Sequence, residues 1–448
     1  MNSPELAPGL APADGLLPPD DAQRTELHNE VHARPSASVP LPALIVYVAV
    51  LNEGVSREAE LAHLRLLPGQ HNLAISELAG NFQRLRFESF TLQWERHTEF
   101  TRYSIVQALP QRALLGASEP EVSSSVVVDA DWLRGIPGRT VAAIKLFMLH
   151  DDLADERALL ARAQHWFGGH NLSASQLGNG HSWALTDFRL TQSGFERMLV
   201  IAPVGVSETR AGRISQRLLE LETYRLMALR GLPVAKILAP MLSDAERALA
   251  NITAQLENKS TSDQDLLDTL VSLAGKVERA TAENSYRFSA TRAYHTLVTQ
   301  RIDELREKAI PGTQKLGEFM QRRLSPAMAT VEATAQRLAS LSERVSRTSA
   351  LLRTRVDIAT EGQNQELLSK LTRGQELQLK LQSTVEGLSI AAISYYVISL
   401  SYYAAKALDA AGLPINPDIA VGAMIPLVLW GVWRAIRHIH SRLHSGDT

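Results

Sequence analysis

Cysteine is absent from the 448 residues, which excludes disulfides, thiolate catalysis and the cysteine-rich zinc modules, and suits a reducing compartment. A charge imbalance is missing as well: 46 basic residues stand against 48 acidic ones, so there is no electrostatic reason to expect nucleic acid as partner. Catalytic frames are lacking too. No G-x-S-x-G, H-E-x-x-H or G-x-x-x-x-G-K-[ST] occurs, and no paired carboxylate sits in a recognisable frame, so the chain reads as a non-enzyme. Residues 1–20 have neither the basic start nor the apolar run of a signal peptide; their Pro, Ala and Gly content reads as a disordered lead-in.

One stretch imitates a catalytic motif. HNEVHARP, His28 to Pro35, places two histidines four apart with a carboxylate between. On a helix Glu30 lies about 200° round from His28, facing away from both histidines, so the general-base geometry of a zinc peptidase is lost. The stretch reads as a short amphipathic helix that stops before Pro35 and docks the N-terminus.

The strongest positive signal lies near the C-terminus. GLSIAAISYYVISLSYYAAKAL, Gly387 to Leu408, carries one charge, Lys406. Its length of about 22 residues crosses a hydrocarbon core of roughly 30 Å. IAVGAMIPLVLWGVW, Ile419 to Trp433, is shorter and becomes a span if it begins near Leu413. Lys370, Arg373 and Lys380 precede the pair, RAIRHIHSRLH follows it, and Asp409 and Asp418 mark the loop between; the positive-inside tendency puts both termini in the cytoplasm. Tyr395, Tyr396, Tyr402, Tyr403, Trp430 and Trp433 are candidate interface anchors, although the inner tyrosines sit too deep for all to serve. A buried hairpin in a soluble protein is the competing reading.

The front half contains an internal echo. PGQHNLAISELAGN, from Pro68, returns as FGGHNLSASQLGNG, from Phe167, about 99 residues later. LIVYVAVL (44–51) corresponds upstream to AAIKLFML (142–149), and EFTRYSIVQAL downstream to GFERMLVIAPV. Each copy reads as a strand, an amphipathic helix (Arg57 to Leu67; Ala154 to Phe167), a turn carrying HNL, and two more strands, with RLRFESFTLQWERH as one strand of the first copy. Two β-α-β-β units make a mixed sheet of about six strands in an α+β domain. From Ser207 the pattern is helical only. Leu270, Leu273, Val277 and Ala280, and later Leu338, Leu341, Val345, Thr348 and Leu352, step by three and four as in a helical seam; Pro233, Pro240, Pro311 and Pro326 are expected breaks. A last arm from about Pro326 to Leu408 runs into the apolar segment; a helix so long and so polar-faced needs partners. The expected organisation is a lead-in (1–20), a duplicated α+β cytoplasmic domain (21–206), a helical stalk (207–386), two transmembrane helices (387–436) and a basic tail (437–448).

HNEVHARP, ALLRTRVDIATEGQN (from Ala350) and TVEGLSIAAISYYVISL (from Thr384) resemble a bacterial membrane-anchored family known as domain of unknown function 3422. That resemblance covers nearly all of the chain after the lead-in and implies a bacterial inner-membrane location. The plan of an α+β domain, stalk helix, two spans and basic tail is similar to the CorA-type divalent-cation transporters, and QNQELLSKLT, Gln363 to Thr372, resembles the end of their stalk. What this second likeness implies is a homo-oligomer, pentameric in that family, whose first span lines a pore, with a divalent cation as ligand class. One departure limits it: the Gly-Met-Asn tripeptide that selects the ion is replaced by AGLPINPD, where Gly412 and Asn416 are not adjacent. The cofactor stays open.

Candidate residues follow from this plan. Gly387, Ala391, Ser394, Ser401 and Ala405 share one helical face, which fits either a narrow hydroxyl-lined pore or close helix packing. Asp409, Gly412, Asn416 and Asp418 form the loop or pore mouth; as a carboxylate ring the acids would attract cations, and as solvated charges they would set topology. His71 with Asn72 and His170 with Asn171 could meet an ion or nucleotide, or form a turn in which Asn takes left-handed φ. The acids of HDDLADE, His150 to Glu156, could hold a regulatory cation or cap a helix. Two functions stay open: a homo-oligomeric channel or transporter of unknown ion, and a membrane-anchored structural or sensory protein.

Overall fold

The computed structural model describes residues 21–24, 27, 38–78, 80–109, 126–258, 262–411 and 416–443. The stretch HNEVHARP and Gly412 lie outside them. By contacts the chain divides into two units, Met1–Gln255 with Thr269–Ser346, and Leu256–Asp268 with Arg347–Thr448.

In the first unit the run ALIVYVAVL makes β1 (Ala43–Leu51), buried along its whole length. A strand apolar on both faces must be covered on both, and β1 is. It lies inside a sheet whose other strands are β2 (Phe82–Arg86), β3 (Phe90–Arg96), β4 (Phe100–Ala108), β5 (Arg139–His150), β6 (Ser173–Leu177), β7 (Ser182–Leu190), β8 (Glu196–Ala202) and β9 (Lys308–Ala309). The order is β2-β3-β4-β1-β5-β8-β7-β6-β9. On one face Leu44, Val46 and Val48 pack with Leu61 and Leu64 of α1 (Arg57–Leu64) and Leu159 of α3 (Glu156–Trp166). A short helix α2 (Ala130–Arg134) adds Trp132 to this layer. On the other face Tyr47 Oη shares a 2.8 Å hydrogen bond with Thr223 Oγ1 of α4 (Glu208–Leu229). The polypeptide reaches β5 through Gly138, whose φ of +116° and whose absent Cβ, which would lie 2.5 Å from Leu51 O, leave room for no other residue without a shift.

The expected β-α-β-β units become β-α-β-β-β, and the sheet has nine strands rather than about six. Besides β6, the extra strand of the second copy, two local causes account for the excess. RLRFESFTLQWERH does not run on as one strand: Phe87 N donates to Phe90 O at 2.9 Å, turning the chain between β2 and β3. After the helical segment, β9 adds a short edge against β6. The two copies also differ in polarity, because β4 lies antiparallel to β1 whereas β8 lies parallel to β5. The segment after HNL explains this: it is a 3-10 turn (Ile75–Leu78) in the first copy and strand β6 in the second.

Beyond the sheet come α5 (Gly231–Asn258), α6 (Asp263–Leu305) and α7 (Leu316–Ala410). In the first unit α7 is tied to its neighbours by Arg292–Glu332 at 2.9 Å and Arg337–Glu246 at 2.8 Å, while Leu338, Leu341 and Val345 are buried as the heptad steps require. Its start is fixed by the sheet: Glu307 accepts from Gly317 N at 3.0 Å, and Ser175 Oγ accepts from Leu316 N at 3.0 Å, satisfying N–H groups that a helix start leaves open. Pro233 stands in the first turn of α5, where no intrahelical N–H is lost. Pro240 and Pro326 correct the expected breaks, since both lie inside helices. Buried neighbours on either side, Leu238 and Leu242, Leu324 and Met328, hold the helices together against a cost of about 3 kcal/mol.

In the second unit Arg355 reaches the tip between α5 and α6: its Nη1 donates to Leu256 O at 2.8 Å and its Nε meets Asp263 at 2.9 Å. Leu266 and Leu352 are buried there. Residues 357–385 of α7 are exposed throughout. The chain ends in α8 (Pro417–Leu443).

Candidate functional site: the C-terminal helical hairpin

Three helical stretches are long and apolar enough to cross a membrane by length and composition: Glu208–Glu257, part of Leu316–Ala410, and Pro417–Ala435. The first has another reason to be apolar. Leu218, Leu221, Tyr224 and Met227 of α4 are buried in the unit that holds the sheet, and 33% of its apolar window is buried, so part of its hydrophobicity serves a protein core. The other two windows are almost wholly exposed. Leu388, Leu400, Ile419 and Leu427 each expose 67% or more, so these two stretches are candidate spans by length and hydropathy.

Ser394 on α7 and Val421 on α8 are the buried residues of the two apolar segments among the described ones. Ile390, Ile398 and Ala405 on α7, with Ala420, Met424 and Val428 on α8, are half-buried. These positions recur at steps of three and four, one stripe on each helix, as expected of antiparallel helices joined by a short connection. The expected small-residue stripe is thereby divided. Ser394 is buried, Ser401 and Ala405 are half-buried, and Gly387 and Ala391 are exposed. Ser389 and Ser401 donate to the carbonyls of Val385 and Val397 at 2.9 and 2.8 Å. Ser394 Oγ is buried with no hydrogen-bond partner. In the connection Asp409, Asn416 and Asp418 are exposed. Asn416 Oδ1 accepts from Asp418 N at 3.2 Å, an N-cap for α8, and Asp418 lies in its first turn, where an acid complements the helix dipole.

This packing gives a first expected outcome. Ser394→Leu adds volume to a covered position and should cost about 1–3 kcal/mol, whereas Ser394→Ala removes an unpaired buried hydroxyl and should be neutral or stabilising. Thermal unfolding of the full chain in mild detergent compares them; equal transitions for both variants would show that the position is open.

The candidates in the sheet unit resolve as structure. Asp155 N-caps α3 by accepting from Ala158 N at 3.1 Å, Asp152 accepts from Ala154 N at 3.0 Å, and Asp151 pairs with Arg162 at 2.6 Å. His71 is exposed, and His170 Nδ1 lies 3.0 Å from Asp187. The HNL turns do not use left-handed Asn: Gly69, Gly168 and Gly169 hold the positive φ, and the leucines, Leu73 and Leu172, enter the core. Among the described residues no group of three or more His, Asp or Glu could hold a metal ion.

Two buried ionic clusters on the α4 face carried no sequence signature. Arg102 on β4 donates to Glu95 at 2.8 Å and to Glu220 at 3.1 Å, and Arg301 donates to the other Glu220 oxygen at 2.6 Å. Burial works to raise the Glu220 carboxyl, but Arg102, Gln216 and Arg301 together hold it below the ordinary value. Burial likewise pushes the adjoining Tyr47 and Tyr224 phenols up to about 12. In the second cluster Glu196 accepts from Thr186 Oγ1 at 3.1 Å, and Arg225 Nε donates to Glu222 at 2.7 Å. Burial, then the charge of Glu222 and a hydrogen bond to it, lifts Glu196 well above the ordinary carboxyl range. A groove of about 710 Å³ lies nearby, lined by Arg57, Arg96, Arg301 and Tyr294 among others. Its guanidinium groups are engaged with Leu78 and Gly80 carbonyls, Glu60 and Glu220 respectively, which is the arrangement of a structural seam.

An α+β protein with two C-terminal apolar helices long enough to span a bilayer is what fold and hairpin define. The chain belongs to the family described as "Protein of unknown function (DUF3422)", whose model matches residues 19–443. No curated protein and no solved structure matches it.

Proposed function

We propose that this is an integral membrane protein of the bacterial inner membrane, held by the α7–α8 hairpin with both termini in the cytoplasm, whose α+β domain and stalk do structural or sensory work as a homo-oligomer. The observation that carries this reading is the burial of Ser394 inside the hairpin: the part of the small-residue face from Ser394 to Ala405 serves intrachain packing, as a compact anchor requires. Removal of residues 387–448 is expected to move the protein from the membrane fraction to the soluble one after alkaline washing. Retention of the truncated chain in the membrane would reject the anchor.

A second reading keeps the CorA-like plan: an oligomer whose first spans surround an axis and conduct an ion, a divalent cation being the first to test. It is favoured by the exposure of Gly387 and Ala391, which leaves part of the first span able to meet neighbouring copies. Proteoliposomes should then show ion flux above empty vesicles; none with any common cation would remove this reading and leave the anchor intact.

A further inference from the structure

Over residues 357–385 the long helix α7 is exposed throughout, yet its sequence keeps a helical seam. Leu367, Leu371, Leu381, Val385 and Leu388 follow steps of three and four through Gly374 and Gln378, and the leucines among them that the structure quantifies are 58–73% exposed. Lipid cannot cover this seam below Gly387, because Glu366, Lys370, Arg373, Glu376 and Lys380 share the same stretch and charges at such density do not enter a hydrocarbon core.

We propose that residues 364–388 of α7 form a parallel, in-register coiled coil with the same residues of further copies of this chain. The inference rests on the homo-oligomeric anchored reading and gives it an interface. With Leu371 and Val385 at a, the d positions are Leu367, Gly374, Leu381 and Leu388, and the remaining a positions are Asn364 and Gln378. Two polar a positions argue for an identical partner. A side-chain amide both donates and accepts, so Asn364 meeting Asn364 of another copy at the same height satisfies both, whereas an apolar surface would leave each unpaired; a polar a residue is a known device for fixing register. The flanking e and g positions agree. From Gln363 to Thr384 they hold one charge, Lys370, so copies placed side by side meet no ladder of like charges, while Glu366, Arg373, Glu376 and Lys380 fall on b, c or f, facing water. The anchor supplies the geometry: helices entering one membrane in the same direction arrive parallel, with the seam at a fixed height above Gly387.

The frame continues into the apolar segment as Leu388, Ala392, Tyr395 and Ser399. At about 100° per residue this face is centred roughly 130° round from Ser394, whose side is taken by the hairpin; Leu388, Ala392 and Tyr395 on it are exposed and Ser399 is half-buried. Copies therefore meet through a face that carries Tyr395 and Ser399, and any conduit on their axis would be lined there rather than by Ser394 and Ser401.

The cysteine-free chain makes the test direct. Leu367→Cys and Leu381→Cys, each the sole thiol in full-length protein in native membranes, should form intermolecular disulfides on mild oxidation with copper phenanthroline, at least tenfold more than Glu376→Cys and Ser383→Cys at the outward f positions. All four positions are exposed, so folding is not at issue. Equal cross-linking of both sets, or none at Leu367 and Leu381, would overturn the coiled coil. Alkaline washing of the same samples separates the two claims: cross-linked protein that washes off would fail the anchor and keep the seam, and anchored protein that does not cross-link would fail the seam alone.

Discussion

Replacing Arg102 with alanine is expected to lower the stability of the sheet unit by about 3–5 kcal/mol, the usual cost of removing one partner from a buried ion pair. Arg102 stands between two carboxylates that burial has already taken out of water: Glu95 is 2% exposed and Glu220 is 5% exposed. Its guanidinium meets both, at 2.8 and 3.1 Å, and in doing so links β4 and β3 to α4. Glu220 keeps Arg301 and Gln216, and Glu95 keeps His97 at 3.4 Å, so the loss is that of the guanidinium contacts to both carboxylates. Thermal unfolding should show a drop on the order of 10 °C. A companion variant separates charge from packing. Arg102→Met with Glu95→Gln removes the charge imbalance and keeps the volume, and should recover a large part of the loss, since replacing both members of a buried pair is often neutral. If the double variant falls as far as Arg102→Ala, the cluster contributes through shape and not through charge.

The parts of this protein that were legible in sequence are those where one physical requirement acts alone. β1 was visible because a strand covered on both faces has to be apolar throughout, and the apolar helices near the C-terminus because nothing except length and hydropathy defines them. Long α7 was visible through its steps of three and four. Legibility failed where two requirements compete. Pro240 and Pro326 signal an end to a helix, but buried side chains on both sides outweigh the lost hydrogen bonds. RLRFESFTLQWERH alternates as a strand should on each side of Glu88 and Ser89, and the turn between is marked by neither Gly nor Pro. The HNL repeats are alike in sequence, yet AISEL turns and SASQL pairs, because strand formation depends on an available edge. In the hairpin the small-residue spacing left pore lining and helix packing open, and the burial of Ser394 beside the exposure of Gly387 and Ala391 is not legible in that spacing.

The ionic clusters were illegible for a different reason. Glu220, Glu222 and Arg225 look like the solvated side of an amphipathic helix, and Glu196 looks like the first residue of a strand. A helix lying across a sheet whose own face carries Arg102 and Glu196 turns that polar side inward. The signal that could have exposed them is pairwise: Arg102 and Glu95 occupy facing positions on neighbouring strands, so their charges complement each other as cross-strand pairs do.

Glu196→Gln is expected to stabilise the protein at neutral and alkaline pH and to flatten its pH dependence. The cluster holds two carboxylates, Glu196 and Glu222, 4% and 1% exposed, before one guanidinium, Arg225, so burial and the Glu222 charge favour a proton on Glu196. The folded state therefore holds that proton more tightly than the unfolded chain, and the Glu196 value rises above the ordinary 4.5. For a group shifted upward, the stability it contributes is complete below the unfolded value and is lost as pH rises through the folded one. Wild-type protein should thus lose thermal stability from this cluster as pH rises from the ordinary carboxyl range through the raised Glu196 value, and Glu196→Gln, a permanently neutral isostere able to keep the hydrogen bond to Glu222, should lose less. Glu222→Gln should behave in the opposite way, because Arg225 loses the carboxylate it grips through two nitrogens and is left buried against the Phe188 ring, 5.5 Å from its centroid. That asymmetry is the decisive measurement. Phe188 sits at φ +52° in the bulge of β7 and stacks at 4.1 Å on Phe319 of α7, so an unpaired Arg225 would disturb the seat of the long helix as well as the sheet. Equal pH profiles for wild type and Glu196→Gln would mean that no proton is held on Glu196, and equal losses in the two glutamine variants would mean that Arg225 is balanced by both acids alike.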